Sequence, residues 1–110
     1  MNNEKEQAVF LALADPTRRL LIEKLSVEGD KTATELAKEL PITRQGITKH
    51  LKILETADLV TTKQVGRDKR YVLTPRALAQ TVSWVTAVQQ QWDNRLQALY
   101  DHLASEEQGE

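Results

Sequence analysis

The stretch Thr43-Arg-Gln-Gly-Ile-Thr-Lys-His-Leu-Lys-Ile-Leu-Glu-Thr-Ala-Asp-Leu-Val-Thr-Thr-Lys-Gln-Val-Gly-Arg-Asp-Lys-Arg-Tyr-Val-Leu73 decides how this chain is read. Within it Ile47, Leu51 and Leu54 fall at spacings of four and three, the apolar stripe of an amphipathic helix. At about 100° per residue the opposite arc carries Gln45, Thr48, Lys49, Lys52 and Thr56, with no apolar member. Ile53, on the flank, is expected to lean against the following hairpin or to lie part-exposed. That hairpin is two β-branched runs, 59–65 and 70–74, separated by Gly66-Arg-Asp-Lys69. Helix then basic hairpin is the order in which a winged helix-turn-helix puts one helix in a DNA groove and a loop on the neighbouring backbone.

Working outward, apolar spacing predicts a helix over 5–13 with Val9, Phe10 and Leu13 on one side. Asp15 as N-cap and Pro16 at the first helical position predict a restart, with Leu21, Ile22 and Leu25 inward to about Ser26. Gly29-Asp30 breaks the chain. Thr32-Ala-Thr-Glu35 has capping-box spacing and opens a third helix that buries Leu36, Ala37 and Leu40 before Pro41 stops it. Thr43 caps the helix of the opening stretch. Downstream, Thr74-Pro75 repeats the N-cap and proline pair and starts a long helix expected to reach Ala104. Along it Leu78, Val82, Val85, Gln89, Trp92, Leu96, Leu99 and Leu103 alternate spacings of four and three, the seam of a helix that packs lengthwise against another. One domain of this size cannot cover such a seam. The surplus implies a partner helix, most economically from a second copy, with Gln89 fixing the register. Whether 76–104 is one helix or two, bent near 89–91, stays open.

The expected class is therefore mainly α with a small β-hairpin (α+β). A single domain, 1–110, comprises core and wing (5–74), a dimerisation helix (75–104) and a frayed tail (105–110), with the first four residues also frayed.

Composition sets the bounds. A chain of 110 residues, 40% hydrophobic and 28% charged, is an ordinary globular domain rather than a disordered one. No apolar run nears the roughly 18 residues of a membrane span, and residues 1–6 lack the basic-then-apolar layout of a signal peptide. The absence of cysteine excludes a disulfide framework, a thiolate metal site and a thiol switch. The expected location is the cytoplasm. The net charge of −1 conceals a segregation. Residues 41–74 hold seven Lys/Arg against three acids, a balance of +4, and the rest holds eight against thirteen, or −5. Local sign, not the sum, makes an electrostatic footprint.

Each polar residue of that segment has a DNA chemistry. Gln45 can pair with adenine through two hydrogen bonds, Thr48 can hydrogen-bond or touch a thymine methyl, and Arg44, Lys49 and Lys52 can meet guanine or phosphate. Ala33 and Thr34, opening the third helix, can offer backbone N–H groups to a phosphate. Lys63, Arg67, Lys69 and Arg70 would meet the adjacent backbone or minor groove, with Gly66 permitting the turn. Taken singly, a polar helix face is usually only a solvated face, and so is a basic hairpin. Their succession in this order, with the local charge balance, is what points to DNA.

Other chemistry finds little support. His50, about 80° from the apolar stripe, reads as a boundary histidine that packs, bonds its helix or meets a phosphate. His102, beside Asp101, reads as a solvated helix-end residue. Neither has a second strong ligand at helical spacing, so no metal and no cofactor are expected; a zinc arrangement would need Asp93, Asp101 and His102 to converge across a dimer seam. Trp84 and Trp92 read as packing anchors of the long helix, with a small-molecule effector pocket beside them as the alternative. Ser26, Ser83 and Ser105 have no base partner, so catalysis is not expected.

Ala12-Leu-Ala-Asp-Pro-Thr-Arg-Arg-Leu-Leu-Ile-Glu-Lys-Leu25 resembles the opening of ArsR-type winged-helix repressors. Thr34–Leu40, Ile47–Leu54 and Gly66–Leu73 resemble that family's later blocks in the same order, so the match spans about residues 8–76. The resemblance implies a homodimeric repressor on a two-fold-symmetric operator, with recognition-helix roles on Gln45, Thr48, Lys49 and Lys52 and the wing at 67–70. It also implies the branch without a metal site. Metal-sensing members carry a cysteine pair on the helix matching 34–40, and an Asp/His pairing with a further His and Glu on the long helix. Asp58 stands where the family usually has glycine, a modest cost because Asp tolerates a left-handed backbone.

The expected function is a homodimeric DNA-binding repressor. Its recognition helix, 43–57, would lie in the major groove and its wing, 63–72, on the adjoining backbone or minor groove. Val9, Phe10, Leu13, Val85, Gln89, Trp92, Leu96, Leu99 and Leu103 would form the dimer interface. The rival reading is a protein-interaction winged helix that leaves DNA alone.

Overall fold

The structure, a computed structural model, describes residues 3–108. It runs α1 (Asn3–Leu13), α2 (Pro16–Glu28), β1 (Lys31–Thr32), α3 (Ala33–Glu39), α4 (Arg44–Thr56), β2 (Val60–Val65), β3 (Asp68–Leu73) and α5 (Pro75–Gln108).

The helix starts form as their residues dictate. Asp15 Oδ1 accepts from the Thr17 and Arg18 backbone N–H groups at 2.7 and 3.2 Å, ahead of Pro16. Thr32 and Glu35 complete the capping box of α3, and Thr43 Oγ1 accepts from Gly46 N at 3.0 Å to open α4. The C-terminal carbonyls of α1 are taken up from outside the helix. Arg18 donates to Ala12 O and Leu11 O at 2.8 and 3.0 Å, and Arg19 to Leu13 O at 2.6 Å, placing cations at the negative end of the helix dipole.

The core centres on the stripe of α4. Ile47, Leu51 and Leu54 are fully buried, with Leu21, Leu36 and Leu59 against them, each burial stabilising by about 1.5–3 kcal/mol. α4 packs on α1, α2, α3 and β2. Its end is a Schellman motif: Asp58 N–H donates to Glu55 O at 3.0 Å and Leu59 N–H to Leu54 O at 2.9 Å. That geometry requires a left-handed residue after the cap, and Asp58 supplies it with φ 60°.

Several expectations are corrected. The sheet has three strands, not two, in the order β1-β3-β2, all antiparallel. β1 is two residues long, too short for alternation to announce it, and it pairs Lys31 with Tyr71 and Thr32 with Arg70. The hairpin loop is Gly66-Arg67 alone, because Val65 pairs with Asp68. Positive φ at Gly66 and not at Arg67 matches a type II′ turn, so Asp68 and Lys69 join β3. α1 begins at Asn3, α2 continues to Glu28, and α5 is one helix that runs past Ala104 into the expected tail. The rest of that terminal expectation, residues 1–2 and 109–110, lies outside the described residues. Thr74 does not cap α5: its hydroxyl is buried without a hydrogen-bond partner among the described residues, and its backbone N–H donates to Leu59 O at 2.9 Å instead. Val9 is a core residue at 6% exposure, not an interface residue, because α1 turns it toward the protomer's own interior.

The chain divides after Ala79 into two units. The first holds the core and sheet, with Ala77 buried and Leu78 packed on the core. The second is the remainder of α5, whose 34 residues span roughly 51 Å at 1.5 Å per residue. On it Val85, Trp92, Leu99 and Leu103 are exposed and Leu96 is half-buried.

Candidate nucleic-acid interface

With the apolar stripe of α4 buried, its other face must meet solvent. Arg44, Gln45, Thr48, Lys49 and Lys52 are all exposed on this one helix. The Thr48 hydroxyl donates back to Arg44 O at 2.9 Å, which leaves its oxygen lone pairs and methyl outward-available. Lys52 reaches Glu55 only at 3.9 Å. Ile53 is 43% exposed and lines a groove with Ala8 and Leu11, so it faces α1 rather than the hairpin. His50 is half-buried, with Nδ1 3.4 Å from the Arg18 guanidinium. Since a guanidinium only donates, Nδ1 accepts there, a boundary role tying α4 to α2.

The wing separates into two kinds of cation. Arg67 is exposed and makes no ion pair among the described residues, and Lys69 is exposed with Nζ 5.5 Å over the Tyr71 ring. Lys63 and Arg70, read from sequence with the others as DNA contacts, are ion-paired with acids of the same chain, Lys63 at the exposed surface and Arg70 partly buried. Lys63 Nζ lies 2.7 Å from Asp30 Oδ2. Arg70 places Nη2 3.1 Å from Asp30 O, Nε 3.5 Å from Asp30 Oδ1 and Nη1 3.1 Å from Glu35 Oε1. The hydrogen bond from Lys63 outweighs desolvation and, with the charge of Arg70, holds Asp30 below the usual carboxylate range. Desolvation pushes Glu35 up, but hydrogen bonds from Thr32 and the charge of Arg70 bring it below its ordinary value.

Elsewhere, Thr34 is exposed at the start of α3 while Ala33 is buried. Phe10 and Leu13 are half-buried, and the large exposed side chain of α1 is Leu11, which the spacing of four from Val9 had left out. Trp84 and Trp92 are roughly half exposed, so they do not anchor a core within the chain. His102 is exposed near the end of α5, with Nε2 3.1 Å from Glu106 Oε1. No group of three or more His, Cys, Asp or Glu is gathered for a metal among the described residues. Asp30 and Glu35 escaped sequence reasoning as wing partners, because thirty-three to forty residues separate them from Lys63 and Arg70 and no local spacing links such pairs.

Comparison with known proteins agrees with this fold. Residues 13–63 match the helix-turn-helix domain family. The transcriptional repressor SdpR of Bacillus subtilis is 33% identical over 96 residues, covering 87% of this chain and 100% of that protein. YuzN of the same organism, an uncharacterized HTH-type transcriptional regulator, is 47% identical over 73 residues, 61% of this chain and 78% of its own. Among solved structures, an ArsR-like transcriptional regulator from Rhodococcus sp. RHA1 has a TM-score of 0.85 at 35% identity, covering 93% of each chain.

Proposed function

Because the chain belongs to the ArsR-type winged helix-turn-helix transcriptional regulators, which bind DNA, we propose that it acts as a homodimeric repressor occupying a palindromic operator. One observation carries the proposal: every polar side chain of the α4 arc is exposed while every member of the opposite stripe is fully buried. A helix so divided offers its groove-reading side chains at no cost to the fold. Gln45 and Thr48 would read base edges, Arg44, Lys49 and Lys52 bases or phosphate, and Arg67 and Lys69 the adjoining backbone, with Thr34 opening α3 nearby. The name of the relative SdpR supports repression. A cytoplasmic location is in keeping with a regulator whose described helices include none long and apolar enough to cross a membrane.

The dimer is supported by the exposed apolar side chains of α5, Val85, Trp92, Leu99 and Leu103, which one protomer leaves in water. Residues 75–104 would then be the dimerisation helix of a single functional domain. Two-fold pairing would set the recognition helices roughly 34 Å apart, one turn of DNA, so binding would require paired half-sites.

Gel shifts on duplexes enriched from a random pool test the roles. Gln45→Ala or Thr48→Ala is expected to relax sequence preference, and Arg67→Ala to weaken all sequences alike and flatten the salt dependence. The same loss and salt slope for both kinds of variant would refute the assignment. Leu99→Asp is expected to yield monomers that no longer bind paired half-sites; a wild-type monomer at micromolar concentration in light scattering would refute the dimer.

A further inference from the structure

We infer that Asp30 and Arg70 form a latch that positions the wing for DNA, and that Arg70 makes no phosphate contact of its own. The inference rests on the DNA-binding reading above and deepens it.

Strand geometry brings the parts together. Lys63 and Arg70 are directly paired across β2 and β3, so their side chains share one face of the sheet. Lys69, one residue before Arg70, belongs to the other face, where its Nζ lies over the Tyr71 ring. The shared face meets Asp30, whose carboxylate takes Lys63 at 2.7 Å and Arg70 at 3.5 Å. One acid therefore grips both strands of the hairpin. Arg70 reaches further, to Glu35 at 3.1 Å, and Glu35 is already the capping-box residue of α3, with Oε1 3.4 Å from Thr32 N. Thr32 in turn pairs with Arg70 through β1. Wing, third strand and the first helix of the helix-turn-helix are thus joined at one guanidinium.

Two physical points separate a latch from a phosphate site. Arg70 is 23% exposed in its side chain and spends donors in three directions, on Asp30 O, Asp30 Oδ1 and Glu35 Oε1, so a phosphate would have to displace partners already in place. In addition, Lys63 and Arg70 against Asp30 and Glu35 sum to zero charge, which leaves little local field for an anion. The wing tip, with Arg67 and Lys69 against Asp68, keeps a net positive charge and is where a phosphate would be attracted.

The test is a set of fluorescence-anisotropy titrations of the full chain. The probe is a 30-base-pair duplex enriched from a random pool by the wild-type protein, and KCl is varied from roughly 50 to 200 mM. Arg67→Ala serves as the phosphate-contact control and should reduce the slope of log affinity against log salt by about 0.9. Arg70→Ala should weaken binding roughly fivefold or more while keeping the wild-type slope. Arg70→Lys should be as weak as Arg70→Ala, because an ammonium keeps the charge but not the fork that spans Asp30 and Glu35. Asp30→Asn should also weaken binding without changing the slope, and should speed hydrogen exchange of the wing amides. The latch is overturned if Arg70→Ala lowers the slope as Arg67→Ala does, if Arg70→Ala binds like wild type, or if Arg70→Lys restores affinity. It is equally overturned if Asp30→Asn tightens binding with a steeper slope, the sign expected were Asp30 only masking two phosphate ligands. Should Arg70→Ala fail to fold by circular dichroism, Arg70→Lys and Asp30→Asn decide. Wild-type protein with no affinity for any duplex at low salt would instead refute the DNA-binding reading itself, and the latch with it.

Discussion

Asp58→Gly should make the protein more stable. Asp58 holds φ 60° because the Schellman end of α4 demands a left-handed residue at that point. A Cβ in that region costs about 1–2 kcal/mol, less for Asp than for most residues. Glycine removes that strain but returns about 0.5–1 kcal/mol through the greater freedom of its unfolded chain. The bonds that make the cap, Asp58 N–H to Glu55 O and Leu59 N–H to Leu54 O, are backbone bonds and survive the change. So does the place of Leu54 and Leu59 in the core, where both are fully buried. The net gain is therefore about 0.5–1 kcal/mol. At about 2.1 cal/mol/K per residue, the unfolding entropy of a chain this long is roughly 0.23 kcal/mol/K, so the melting temperature should rise by about 2–4 °C. The assay is thermal denaturation followed by circular dichroism, at one protein concentration because dimerisation would couple to folding. Asp58→Ala, which keeps a Cβ and loses the tolerance of Asp for this conformation, should melt several degrees lower (about 1 kcal/mol). DNA affinity should not change in either variant, since position 58 is outside the α4 arc. A glycine variant that melts at or below the wild type would refute the strain account.

Thr43→Ala removes the side chain that accepts from Gly46 N at 3.0 Å and should lower stability by about 1 kcal/mol, read as a shifted urea midpoint with unchanged slope; an unchanged midpoint would show the cap to be idle. Acid should destabilise the fold with a definite sign. Asp15, Asp30, Glu35 and Glu39 all lie below their ordinary carboxylate values when folded, so the unfolded chain binds more protons than the folded one. Their contribution is complete above the unfolded carboxylate range near pH 4 and is lost as pH falls through the folded values. Melting temperatures should be flat from neutrality to about pH 5 and fall below about pH 4; a stability that holds or rises there would contradict the carboxylate bonds.

Local physics was legible along the chain wherever a few neighbouring residues settle a structure among themselves. The caps at Asp15, Thr32 and Thr43 and the buried stripe at Ile47, Leu51 and Leu54 came from spacings of one to four residues, whereas the left-handed position of Asp58 was implied by the family resemblance. The α4 face was legible for the same reason, because one helical period assigns the stripe of Ile47, Leu51 and Leu54 to the core and the arc of Gln45, Thr48, Lys49, Lys52 and Thr56 to solvent. Thr74 shows where that logic ends. Its sequence is that of an N-cap, yet the hydroxyl is buried unbonded because the chain is held there by a backbone bond to Leu59.

What the chain alone determined, then, was the order of the five helices and the hairpin and the polar character of the exposed α4 face, since both follow from period and composition. Tertiary structure decided which cations remain available on the wing. Arg67, Lys69, Lys63 and Arg70 are equivalent in sequence, and only the closure of the sheet onto Asp30 and Glu35 divides them. Tertiary structure likewise took Val9 into the core and left Leu11 outside, because the angle at which α1 meets α2 and α4 is a property of packing, not of α1. Charge pairing across thirty to forty residues has no local signature; it exists only once strand register brings the partners within reach.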